Sequence, residues 1–205
     1  MLFRSLVFTY TILSSQTDTN GISIDANSLS LNSGTLKDAA GNDATLTHSA
    51  VTDNASYMVD TTAPTVSSIA ITSASGIQNS TLNAGDTVSV TVSMSEATTV
   101  TGTPRLALNI GGTTVYANYA SGSGTSSLVF TYTILSSQTD ANGISIDANS
   151  LSLNSGTLKD AAGNNATLTH SAVTDNASYM VDTTAPTVSK ASSSDKIIII
   201  DYTDN

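Results

Sequence analysis

The sequence has no cysteine and no tryptophan. A chain without cysteine needs no particular redox compartment, and no disulfide framework organises it. Charge is scarce and one-sided: charged residues make up 11%, with six Lys+Arg against sixteen Asp+Glu and a net charge of −10. That balance repels phosphate backbones and anionic bilayers, which argues against nucleic-acid and membrane-surface partners. No apolar run approaches the roughly 20 residues that cross a bilayer, so no membrane insertion is expected. Helical periodicity nowhere exceeds a turn or two. The start, Met1-Leu2-Phe3-Arg4, passes straight into a strand pattern and does not read as a signal peptide. An export signal is expected elsewhere in a longer parent.

What is present is enough for a core. Hydrophobic residues are 39% of the chain, well above a disordered composition. Ser, Thr, Asn and Gly fill the surface role that charges usually take. Acidic chains with few pairing cations often meet their counter-charge as metal ions.

The strongest signal is internal repetition. Ser5–Val66 recurs as Ser127–Val188, an offset of 122 residues, and only two of the 62 positions differ: Thr19 against Ala141 and Asp43 against Asn165. Solenoid repeats are usually about 20–50 residues long, so a unit this size is itself a domain. The expected organisation is 1–60 as the C-terminal part of one repeat, 61–182 as a complete repeat, and 183–205 as the start of a further, divergent one. On that reading both ends of the chain fall inside repeats.

Within the complete repeat the period is two. Val88, Val90, Val92 and Met94 alternate with Ser89, Thr91 and Ser93; Leu106, Leu108 and Ile110 alternate with Ala107 and Asn109; Leu128, Phe130, Tyr132 and Ile134 alternate with Val129, Thr131 and Thr133. Such alternation marks antiparallel strands with one apolar face. Gly111-Gly112 reads as a two-residue hairpin turn with positive φ. Seven or so short strands in about 120 residues predict a β-sandwich, with a small β-barrel as the alternative.

Several motifs resemble the bacterial immunoglobulin-like repeats of giant adhesins, many exported by type I secretion. They are Val59-Asp-Thr-Thr-Ala-Pro-Thr-Val66 and its copy at Val181–Val188, Leu82-Asn-Ala-Gly-Asp86 before a Val-rich strand, Ser95-Glu96 after it, and Leu158-Lys-Asp-Ala-Ala-Gly-Asn164. The resemblance covers all but the last 16 residues. It implies an all-β chain of tandem immunoglobulin-like β-sandwich repeats, secreted and displayed on a bacterial cell surface. The tail Asp195–Tyr202 looks like a strand of a related but different unit.

Catalysis fits poorly. Each copy carries one His (His48, His170) and one Lys (Lys37, Lys159), with no nucleophile elbow and no zinc-protease motif. No enzymatic activity is expected, and a Lys159 isopeptide cross-link is not expected either.

The carboxylates carry more. Calcium takes about 6–8 oxygen ligands, and carboxylates with loop carbonyls supply them. Glu96 is expected to follow the second strand, the Asp160–Asn164 turn the sixth, and Asp60 lies in the linker feeding the same end of the sandwich; Asp182 is the copy of Asp60. These groups are predicted to hold calcium at a domain junction, against the alternative that each only caps its turn. A second candidate is Asp140, Asn142 and Asp147, whose spacing equally suits a hydrogen-bonded turn. The linker Asp60-Thr-Thr-Ala-Pro64 is short, and Pro64 fixes its own φ and pushes Ala63 to an extended form. The expected role is a spacer whose partners are neighbouring repeats, stiffened by calcium, the parent adhesin's ligand being unknown. The competing roles are a sugar- or protein-binding module, with Tyr116 and Tyr119 as its aromatics, or an accessory domain of an exported hydrolase.

Overall fold

The computed structural model describes residues 5–194 and 197–203. Met1–Arg4, part of the strand-pattern reading, and Asp195–Lys196 of the tail lie outside the described residues. Every described regular element is a strand. The chain forms two compact units, Met1–Thr62 and Ala63–Asn205.

Unit 1 contains two short strands, β1 (Thr17–Asp18) and β2 (Val59–Asp60), which pair antiparallel. In unit 2 the strands are β3 (Val66–Ser75), β4 (Thr81–Leu82), β5 (Thr87–Thr101), β6 (Arg105–Ile110), β7 (Thr113–Ser121), β8 (Thr125–Thr133), β9 (Thr139–Asp140), β10 (Leu151–Ser152), β11 (Thr157–Lys159) and β12 (Met180–Asp182). They are followed by β13 (Thr187–Ser194) and β14 (Ile197–Thr203), an antiparallel pair.

Two sheets of unit 2 make a sandwich-like arrangement. One has seven strands, ordered β10-β6-β7-β8-β5-β11, with β3 also paired to β5; the other is β4-β12-β9. The alternation that marks the strands also fills the space between them. Val88, Val90 and Val92 of β5, Leu106, Leu108 and Ile110 of β6, and Leu128 and Phe130 of β8 are all buried, in one cluster with Leu82 and Val181 of the smaller sheet. Val, Thr and Ile suit the pleated surface because their branched Cβ atoms pack well there. Cross-strand pairs align these side chains: Val90 opposes Phe130 and Val92 opposes Leu128.

The β6–β7 hairpin closes through Gly111-Gly112, with Ile110 opposite Thr113 and φ of 55° and 83° at the two glycines. Both angles lie where L-residues are disfavoured, which suits a two-residue turn that follows strand twist. The segment between Ile144 and Leu158 holds little regular strand beyond β10; Ser145 and Ile146 make isolated bridges to Asn109 and Val173.

The chain enters the sandwich beside Ser95 and leaves the sandwich near the opposite end of β5. Val66 pairs with Met94, whereas Asp182 pairs with Thr139 and β12 runs parallel to β4. Gly85 and Ile134, hydrogen-bonded together, mark that far end.

Candidate metal centre

The incoming strand is fixed by backbone chemistry. Pro64 is buried and its carbonyl accepts the Thr167 N–H at 2.8 Å. Thr65 N–H donates to Ser95 Oγ at 2.9 Å, and Ser95 N–H donates to the Thr65 carbonyl at 2.8 Å. Ser95, the residue that precedes Glu96, thereby holds the end of the linker. Neither Ser95 nor Pro64 stands out in the periodicity as a positioning residue; the signal available was only their place in quoted motifs.

Glu96 lies inside β5 and not in a loop after a strand. The sequence expectation ended the strand at Met94, where alternation stops. The strand continues because the β5–β8 ladder breaks register between Ser93 and Thr98 and then resumes, with Thr98 opposite Thr125. A local irregularity of this kind re-aims side chains. Thr98, fully buried, donates its hydroxyl to the Glu96 carbonyl at 3.1 Å. The Glu96 side chain is half-buried.

Asp160 follows β11, whose register with β5 puts Lys159 opposite Thr99. It is 5% exposed and turns the chain back on itself. Its Oδ1 accepts the Asn164 N–H at 2.8 Å and its Oδ2 accepts Asn164 Nδ2 at 2.7 Å. Burial pushes this carboxyl's pKa up; the hydrogen bonds from the Asn164 side chain and from the Asn164, Gly163 and Ala162 amides outweigh that and hold it below the usual range. The copy in unit 1 folds alike, with Asp38 accepting from Ala40 and Asn42 N–H at 2.9 Å and its pKa lowered, the Asn42 side chain being the largest cause.

Carboxylate oxygens of Glu96 and Asp160 approach within 4.8 Å of each other. Calcium–oxygen bonds of about 2.3–2.6 Å put two ligands of one ion up to about 5 Å apart, so the pair fits a shared cation. An oxygen that accepts one N–H keeps a second lone pair for a metal. Both groups are hard oxygen donors, which suit a hard divalent cation.

Asp60 belongs to unit 1. It ends β2 opposite Thr17, is exposed, and accepts the Thr62 N–H at 2.9 Å. Asp182 repeats this arrangement in unit 2, accepting the Thr184 N–H at 2.8 Å. The second candidate group is built differently. Asp140, 4% exposed, spends one oxygen on the Gly111 N–H at 2.8 Å and the other on the Gly143 N–H at 2.9 Å. Asn142 hydrogen-bonds Asp175, and Asp147 is exposed. Among the described residues this segment gathers no group of three carboxylates or histidines. Its geometry is that of a turn clamp tying β9 to the β6–β7 hairpin.

His170 is also clamped. Its Nε2 accepts the N–H groups of Ser150 at 2.9 Å and Leu151 at 3.3 Å, while Nδ1 lies 2.8 Å from the Ser171 carbonyl. That network assigns the proton to Nδ1 and leaves neither nitrogen aimed at a ligand. Tyr119 packs edge-on to Phe130, with ring centroids 5.8 Å apart, and its hydroxyl accepts the Ser123 N–H at 2.7 Å. The Arg105 guanidinium covers one face of Tyr116 at 3.9 Å. Of the two tyrosines named as recognition aromatics, Tyr119 is therefore structural and Tyr116 shares its ring with a cation. No family model, curated protein or solved structure matches this chain.

Proposed function

We propose that the chain is a spacer of a bacterial cell-surface adhesin, built of immunoglobulin-like repeats and stiffened by calcium where one repeat follows another. The observation that carries this reading is the Glu96–Asp160 carboxylate pair beside the point where the linker reaches unit 2. Two like charges so close repel, and a divalent cation between them removes that cost.

The linker supports the same reading. Thr61 and Thr62 are tied to unit 1, through the Gln16 carbonyl and the Asp60 carboxylate, while Pro64 and Thr65 are tied to unit 2. Asp60 stands four residues before Pro64, a reach of at most about 14 Å. Asn164 stands beside Asp160 in unit 2, and Asp60 and Asp182 are the carboxylates that the two linkers carry. A near-identical domain-length repeat suits length, since diverse recognition would call for divergent copies.

Thermal unfolding of the full chain in calcium and in chelator tests the reading. Binding to the folded state alone adds about 2.7 kcal/mol at one hundred times the dissociation constant. The midpoint should rise with calcium, and Glu96→Ala should remove most of the rise while Asp147→Ala leaves it. Equal midpoints in calcium and chelator would refute the metal.

A further inference from the structure

The Asp140 turn clamp encloses a reactive dipeptide, Asn142-Gly143. In such a pair the backbone nitrogen of the glycine attacks the side-chain amide before it with unusual ease, because no Cβ stands in the way. The fold needs both residues. Gly143 has φ of 97°, and a Cβ there would meet the Asn176 carbonyl oxygen at 2.0 Å. That carbonyl is itself fixed by the Tyr179 N–H at 2.8 Å. Asn142 reaches across to the Asp175 carboxylate through Nδ2.

Folding also disarms the pair. The Gly143 N–H donates to Asp140 Oδ1 at 2.9 Å, and the other oxygen of Asp140 is held by the Gly111 N–H at 2.8 Å. The attacking nitrogen is thus tied to a carboxylate that is anchored from a different hairpin. Asn142 is exposed, but the Nδ2 that would leave is tied to Asp175. Gly143 is buried, and Ile144 after it is 0% exposed with its N–H on the Tyr179 carbonyl at 3.1 Å. The backbone cannot swing toward the Asn142 side chain without opening this part of the core.

We infer that Asn142 is a modification site that the folded repeat conceals and unfolding exposes, the modification being deamidation by water. In the open chain the Gly143 nitrogen attacks Asn142 Cγ. The new C–N bond forms as the Cγ–Nδ2 bond breaks, and the Gly143 amide proton departs with Nδ2 as ammonia. Water then opens the cyclic imide at either carbonyl, leaving aspartate or isoaspartate. Neither product fits the site. The new carboxylate faces Asp175 as a like charge where a hydrogen bond had been, and isoaspartate lengthens the backbone by one carbon just before Gly143. A repeat left unfolded long enough is marked and loses the clamp. Asn20-Gly21 carries the same bonds, through Asp53 and Asp18.

The test incubates the full 205-residue chain in mildly alkaline buffer with chelator, once folded and once in guanidinium chloride. Trypsin, cutting after Arg105 and Lys159, releases residues 106–159 as one peptide, and its fragment masses read the replacement of NH2 by OH at Asn142. Conversion should be at least about tenfold slower in the folded chain, where it must wait for local opening. Equal rates would overturn the proposal. Asp175→Ala, at an exposed position, frees Nδ2 and should raise the folded rate, with slow amide exchange at Ile144 showing that the fold persists; an unchanged rate would overturn the role of the clamp. Refolding gives a second readout. After conversion in denaturant, the chain returned to buffer should lack slow exchange at Ile144. Asn142→Gln, which closes the imide far more slowly, should regain it after the same treatment. Full recovery by the converted chain would overturn the misfit.

Discussion

At the scale of single residues the repeat sets up its own controls. Asp160 is held below its ordinary pKa of 3.8, so the unfolded chain takes up the proton first as the medium becomes acid. Its contribution is complete above about pH 4 and is lost as the pH falls through the folded-state value. In calcium-free buffer, unfolding midpoints measured from pH 6 down to pH 2 should fall in this window. Asp160→Asn should flatten that part of the curve. Asp160→Ala strands the donors of Asn164 and should cost about 1–3 kcal/mol at neutral pH, read by denaturant titration. His170 makes a parallel case: His170→Ala leaves the Ser150 and Leu151 amides without their acceptor, and those amides should gain exchange rate first. One of the two positions that differ between copies, Asp43 against Asn165, is milder. Lys37 forms an ion pair with Asp43 across an isolated bridge, and Lys159 faces Asn165 in the same bridge. Exposed pairs of this kind are worth little, which explains how the substitution is carried without a change in the turn.

At the scale of elements the hairpin and its clamp are decisive. A Cβ on Gly111 would meet the Thr139 carbonyl oxygen at 2.0 Å, whereas one on Gly112 meets nothing within 4 Å. Both residues have positive φ, so Gly112→Ala should cost about 1–2 kcal/mol from backbone strain alone. Gly111→Ala should cost clearly more, because β9 must move and Asp140 must release the Gly111 N–H. Equal losses in the two variants would show that the hairpin does not bear on β9. The strands themselves were legible because period-two alternation with β-branched residues has few other solutions: every core position named in β5, β6 and β8 is buried except Tyr132, which is half-buried. The continuation of β5 through Glu96 was not legible, because a register break leaves no trace in hydrophobic spacing. The turn clamp of Asp140 was hidden for a related reason. Its two amide partners, Gly111 and Gly143, lie 29 residues upstream and three downstream, and spacing alone could equally describe a metal loop.

At the scale of the whole molecule, one sequence lives in two environments, and its energetics should follow the environment. Phe130→Ala empties a fully buried site and should cost unit 2 about 3–5 kcal/mol. Phe8→Ala, at the same place in the same sequence, should leave the main unfolding transition within about 0.5 kcal/mol, as exposed substitutions do. If calcium bridges successive repeats, small-angle scattering from a chain of three or more complete repeats should give a larger and better defined maximum dimension with the ion than with chelator. Identical profiles would mean that Pro64 and the anchored linker ends set the stiffness alone. The placement of the two ends of the sandwich, one beside Ser95 and the other just beyond β12, also fixes how it meets tension. A pull between Thr65 and Thr183 runs along the strands, while the bonds between strands lie across them. Strand β12, held between β4 and β9, is then loaded in shear, so its hydrogen bonds must fail together and cannot peel one at a time. The unit is thereby built to stay folded under stretching and to yield in a single abrupt step.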